Sequence, residues 1–281
     1  MDSQTPHSVS DTDYTEIPVA ERALVHLTAQ RQVWPIFLFR AMALQGSHPT
    51  IAVALEDHST GFTEPAARAS RTLSYAYRVY FGENLAETAR EIRQLHRPIT
   101  GQGYDGKPYH AWNREAWTWV HLTTVEAMLY AVGACFPSLS AEDAEAFYRE
   151  GRAIGLLYGV REQDMPADIA GLRAYVDAGI QDKLATSPGT RRLRRLVDEQ
   201  SILELPLPRP IQVVVDRLAA RPVHTLMFGG FPEPIRRLWD VRWTRAREIE
   251  YRALLTALRV GSRALPRRLL LVPEARAALH D

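Results

Sequence analysis

The stretch NREAWTWVHLTTVEAMLYAVGACFP, residues 113–137, decides the fold. Asn113 can cap a helix that begins at Arg114, and Phe136-Pro137 stops it after about Cys135. Within it lies the longest apolar run of the chain, Val120 to Phe136, interrupted by His121, Thr123, Thr124 and Glu126. A bilayer span needs about 20 predominantly apolar residues with few charges. This run is shorter and more polar, so it reads as a helix buried in a protein core, with no integral membrane span.

Helical signals continue on both sides. Just before it, TGQGYDGKPYHAW (100–112) is Gly-rich and reads as a loop. Asn84 with Glu87 makes a capping-box-like start for a helix that Pro98 ends near Arg97. A helix from about Pro65 to Phe81 precedes it, with Gly82 as its C′ residue. The short link between the two predicts an antiparallel pair. Further helices are expected over 19–30, 34–44 and from Pro49 to Glu56. Beyond the core helix, Ser140 with Asp143 opens one that ends near Gly159. Others follow over 166–181, 190–200, 211–220, 244–260 and 273–279. The best strand candidate, Ile211 with Val213, Val214 and Val215, runs into DRLAAR without a turn and is read as helix. The pattern predicts an all-α, single globular multi-helix domain over residues 19–281. A polar, acidic and disordered tail (1–18) precedes it, and the Pro-rich connector LELPLPRP (203–210) leads to a C-terminal helical subdomain.

Composition narrows the function. The 34 basic and 33 acidic residues leave a net charge of +1, without the basic excess of a nucleic-acid binder. The one compact cluster, Arg191, Arg192, Arg194 and Arg195, reads as a solvated helix start. The lone Cys135 rules out a disulfide within the chain and reads as a small buried hydrophobe, which suits a reducing, cytoplasmic setting. No phosphate loop, dinucleotide fingerprint or nucleophile elbow is present.

Nine histidines remain. None has the His-x3-His or His-Glu-x2-His spacing of a helix-borne zinc site. Several are flanked by apolar residues with arginines close by, which suits a haem pocket in the helical core: iron takes an imidazole and the propionates take Arg. Arg93 and His96 are three apart and share a helix face beside Ile92 and Leu95. A half-buried histidine favoured by the helix C-terminal dipole is the plain alternative. His121, mid-helix among Trp117, Trp119 and Leu122, reads as a core imidazole and is the rival ligand.

The segments HPTIAVALEDHS (48–59), RASRTLSYAYRVYFG (68–82), IRQLH (92–96), WTWVHLTTVEAML (117–129) and DMPADIAGLRAYVDAGI (164–180) occur in one order. Together with the proline- and arginine-rich ending near 265–276, they resemble the successive blocks of the MpaB and latex-clearing oxygenase family, in its short bacterial branch. The resemblance implies an all-α fold around haem b, its iron held by one proximal histidine in an Arg-x-x-His helix, matched here by Arg93 and His96. It implies a distal Arg-x-x-x-Thr pair, matched by Arg68 and Thr72. In the rubber-cleaving members a lysine before that Thr is implied as distal ligand or gate; Arg71 stands there in this chain and is a poor iron ligand. The implied partners are O₂, an apolar or alkene-bearing small molecule, and an electron donor. A helical binding or sensing protein that keeps the fold, or a haem enzyme of peroxidase or monooxygenase type, fits the same residues.

Overall fold

The structure is a computed structural model that describes residues 17–199 and 209–279. The acidic leader up to residue 16, His7, His280 and nearly all of the Pro-rich connector lie outside the described residues. The fold is all-α apart from one small hairpin.

In chain order the helices are α1 (Val25–Thr28), α2 (Val33–Gly46), α3 (Pro49–His58), α4 (Pro65–Phe81), α5 (Leu85–His96), α6 (Arg114–Cys135) and α7 (Ala141–Leu157). They continue as α8 (Ile169–Asp182), α9 (Pro188–Glu199), α10 (Arg209–Gly229), α11 (Glu233–Leu238), α12 (Arg245–Ala264), α13 (Arg267–Leu270) and α14 (Pro273–Ala278). The core is built around α6, which packs most extensively on α2 and also meets α7, α8 and α12. Trp119, Leu122, Met128 and Val132 are fully enclosed, as a helix apolar on every side requires.

His121, Thr123, Thr124 and Glu126 are tolerated there because each finds a partner. The Thr123 hydroxyl donates to the Trp119 carbonyl at 2.6 Å and the Thr124 hydroxyl to that of Val120 at 2.7 Å. His121 bonds a backbone carbonyl of α7, and Glu126 meets Arg40 of α2. Asn113 caps the helix as expected: its Oδ1 accepts from the Glu115 and Ala116 amides at 3.0 and 3.2 Å.

The α6–α8 crossing is close because Gly179 leaves room for the Trp119 indole. A Cβ there would lie 2.1 Å from Trp119 Cζ3. Overpacking a core typically costs about 1–3 kcal/mol, and a contact this short in a fully buried ring belongs at the upper end. Gly179→Ala should therefore lower the urea midpoint markedly with the slope unchanged, whereas Gly133→Ala, which meets nothing within 4 Å, should not.

Four local expectations need correction. The first helix, expected over 19–30, is a 3₁₀ turn at Val19–Glu21, a left-handed Leu24 (φ 57°) and the short α1. Tertiary bonds break it. The Arg22 guanidinium donates to the Val79, Tyr80 and Gly82 carbonyls at the end of α4 (3.1–3.3 Å), and the Ala23 amide donates to Glu150 at 2.7 Å. Gly82 ends α4 in an extended conformation (φ −79°), not left-handed; glycine suits it because a Cβ would lie 2.4 Å from the Arg78 carbonyl oxygen. Residues 100–112, expected as a loop, contain β1 (Thr100–Gln102) and β2 (Pro108–His110), paired antiparallel with Thr100 opposite His110. The hairpin is pinned to α3 by the Tyr109 hydroxyl on Asp57 (2.8 Å) and the Tyr104 hydroxyl on Glu56 (2.6 Å). Lastly, α10 continues through Pro222, so His224 lies in a helix, its Nε2 3.1 Å from the Val197 carbonyl oxygen.

Candidate functional site

The expected α4–α5 pair forms. Asn84 starts α5 as a reciprocal cap, its Oδ1 accepting from the Glu87 amide at 3.2 Å and its Nδ2 donating to the Glu87 carboxylate at 2.7 Å. Arg78 and Glu91 tie the two helices by a two-pronged ion pair at 2.7 and 2.9 Å. At the end of α5, His96 Nδ1 lies 2.7 Å from the Ile92 carbonyl oxygen. A carbonyl only accepts, so Nδ1 carries the proton. Burial pushes the ring below the ordinary imidazole range; the Ile92 hydrogen bond works against that and the Arg68 cation adds to it. The ring is then neutral near pH 7, and Nε2 presents a lone pair. Trp117 of α6 covers the imidazole edge-on, ring centres 5.2 Å apart.

Arg68 and Thr72 are brought together on α4. An Arg68 Nη donates to the Thr72 hydroxyl, which donates in turn to the Arg68 carbonyl at 2.9 Å, and Arg68 Nε donates to the Ser59 hydroxyl at 3.2 Å. Burial and the neighbouring Arg71 charge both lower the Arg68 pKa, and among the described residues it has no carboxylate partner. A part-buried guanidinium held only by hydroxyls beside a neutral imidazole can take an anionic or strongly polar ligand atom. Arg71 turns outward and donates to Thr60 of the 3₁₀ turn at Thr60–Phe62. Arg93 lies away from this group. Its guanidinium faces Trp112 at 5.6 Å and approaches Gly159.

His121 belongs to a different place. Its Nε2 lies 2.9 Å from the Gly151 carbonyl oxygen of α7 and so carries the proton. The ring meets Tyr158 edge-on at 5.7 Å and borders a cavity of about 40 Å³ with Val125, Phe147 and Ile154. That space holds a few water-sized molecules. Gly155 makes room for the imidazole, since a Cβ there would lie 2.6 Å from His121 Nε2, and Gly151 makes room for Val125. Burial drives this histidine from its ordinary 6.5 down to about 4.

That depression has a stability consequence. Between pH 6.5 and about 4 the unfolded chain binds a proton at this site that the folded chain does not. The His121 contribution is thus complete above 6.5 and is lost as pH falls towards 4, on the order of 3 kcal/mol in all. Urea titrations across that window should show the native chain losing stability more steeply than His121→Gln. Parallel pH slopes for the two proteins would contradict a buried, neutral His121.

The sequence singled out His96, Arg68 and Thr72, which the structure groups, and Arg93 and His121, which it places elsewhere. It overlooked Ser59, and it read Trp117 only as a neighbour of His121. The helical spacing of Trp117 to His121 signals a shared face, but the imidazole that Trp117 covers is His96. Cys135 is buried, and the loss of solvation raises its thiol to about 12, which suits a packing role. Among the described residues, no helix is long and apolar enough to cross a membrane, and no three His, Cys, Asp or Glu side chains converge as ion ligands.

No curated protein matches the chain, and no solved structure matches it. The sequence profile described as "ER-bound oxygenase mpaB/B'/Rubber oxygenase, catalytic domain" matches residues 27–260, from α1 through most of α12. The chain belongs to this oxygenase catalytic-domain family.

Proposed function

We propose that the chain is a haem b oxygenase acting with O₂ on an apolar or alkene-bearing small molecule, with His96 as the protein ligand to iron. The observation that carries the reading is the His96 tautomer. Its Nδ1–H is held by the Ile92 carbonyl, which leaves Nε2 as a neutral donor beside a part-buried, anion-seeking Arg68. Hydrogen bonding at the far nitrogen is how proteins orient an imidazole ligand and raise its basicity. The fit also rests on the donor count. A bare ion needs several side chains, and no such group converges among the described residues. A porphyrin brings four nitrogens and asks one imidazole of the protein.

Haem, when bound, supplies the redox chemistry that activates O₂. The residues do the rest. His96 stays neutral because burial, and after it the Arg68 charge, disfavours a proton on Nε2, and the Ile92 hydrogen bond fixes the ring. Arg68 presents N–H donors that orient a polar ligand atom, and Thr72, whose hydroxyl accepts from the guanidinium and gives its own proton to the Arg68 carbonyl, holds that guanidinium in place. Trp117 keeps water off the covered face of the imidazole. Arg71 turns outward to Thr60, and its guanidinium is a poor iron ligand.

Mass spectrometry of products formed from a panel of alkenes under isotopically labelled O₂ tests the reading. Label in a cleaved, epoxidised or hydroxylated product is expected. Haem-loaded protein that turns over none of the panel and incorporates no label would favour a binding or sensing role.

A further inference from the structure

A second cleft opens beside Trp117, between the end of α7 and the start of α6. Its walls follow from local sequence. α7 ends in a Schellman motif: Gly159 (φ 78°) donates to Leu156 at 2.8 Å and Val160 to Gly155 at 2.9 Å. This turns the chain so that Arg161 lies at the cleft mouth. Trp117 Nε1 donates to the Tyr158 carbonyl at 3.0 Å and fixes the indole as one wall, and Trp112, 39% exposed, forms another. The cleft encloses about 160 Å³.

Its charge is unbalanced. Arg93, Arg114 and Arg161 line it together with one carboxylate, Asp164. That carboxylate is taken by Arg114 in a two-pronged pair, with Nε to Oδ2 at 2.6 Å. Arg93 and Arg161 form no ion pair among the described residues. Two guanidinium forks flanked by indoles match a planar, singly charged carboxylate carried on an apolar body. A dianion would suffer more from Asp164.

We propose that this cleft binds the carboxylate of the substrate, so that the substrate class is an apolar acid with its chain lying along Trp117 towards His96. The volume takes the acid group and a few methylenes; the remainder extends past Trp117, whose ring also meets His96. The reaction assigned to this acid rests on the oxygenase reading above, but its binding does not.

Tryptophan fluorescence of the purified protein, titrated with sodium laurate and with methyl laurate below their aggregation limits, tests the proposal. Laurate should quench saturably, the ester should bind at least about tenfold more weakly, and Trp112→Phe should remove much of the signal. Arg161→Gln and Arg93→Gln should each weaken laurate by about tenfold, the usual loss for one charge-assisted contact. Arg161 is exposed, so its variant folds even if that of Arg93 does not. Equal binding of acid and ester, or no effect of Arg161→Gln, would overturn the proposal. If loading with haemin blocks laurate while haemin dimethyl ester does not, the cleft holds a porphyrin propionate and the substrate assignment is overturned. Laurate binding retained in a protein that never takes up haem would instead count against the oxygenase reading and leave the acid cleft standing.

Discussion

Replacing His96 with alanine should abolish the Soret band of the haem-loaded protein, or shift it to that of a weakly bound, water-ligated form, with activity lost in parallel. In the proposed reading one imidazole carries the whole protein contribution to the metal, so no partial ligand set would survive its removal. Structural damage should be small. The ring is half-buried at a helix end, and its hydrogen bond to Ile92 lies within its own helix. The urea midpoint should therefore move little, which separates lost ligation from lost folding. Added imidazole should restore part of the band. His121→Ala should do the reverse: the band stays, and stability falls because a buried, hydrogen-bonded ring is removed from the α6–α7 contact. A band lost in the His121 variant and kept in the His96 variant would transfer the ligand assignment to His121.

The second large effect concerns folding. Arg40 of α2 and Glu126 of α6 form a two-pronged pair, with Arg40 Nε at 3.0 and 2.8 Å from the two carboxylate oxygens. Their side chains are only 11% and 14% exposed. Arg40 also donates to the Gly230 carbonyl at 2.6 Å and stacks over Tyr130 at 3.9 Å. Tyr130 in turn shares a hydroxyl bond of 2.7 Å with Tyr251 of α12. Removing one charge leaves the other buried and unpaired, which typically costs about 3–5 kcal/mol. Glu126→Ala should approach that loss, measured by urea unfolding. The double variant Arg40→Met with Glu126→Leu should recover much of it, since it removes both charges and refills the space. A double variant as unstable as Glu126→Ala would show that the pair itself, rather than the orphaned charge, sets the cost.

Much of the fold was legible because its signals are local. Asn113 and Pro137 bracket α6, Ser140 opens α7, and Asn84 with Glu87 opens α5; each works through a bond within about one helical turn. Features set by partners far along the chain were not legible. The break at Leu24 depends on Arg22 reaching carbonyls near residue 80, and the β1–β2 hairpin is held by tyrosines reaching α3. Three-residue strands are also too short to show alternation.

At the site, the spacing of Arg68 to Thr72 was enough to place both on one face of α4. Spacing did not show how His96 and His121 differ in bonding, because the difference lies in which ring nitrogen is committed. His96 bonds through Nδ1 to its own helix, and His121 bonds through Nε2 to the next one. The arginines divided in the same way. Arg93 shares a face with His96 by position, yet its side chain turns towards Trp112 and Gly159.

The most direct measurement is the pyridine haemochrome assay on protein expressed with a haem precursor and purified without added ligand. Stoichiometric haem b, with a Soret band that moves on reduction and again with carbon monoxide, is expected from an iron held by one imidazole. A well-folded protein that takes up no haem under those conditions would contradict it.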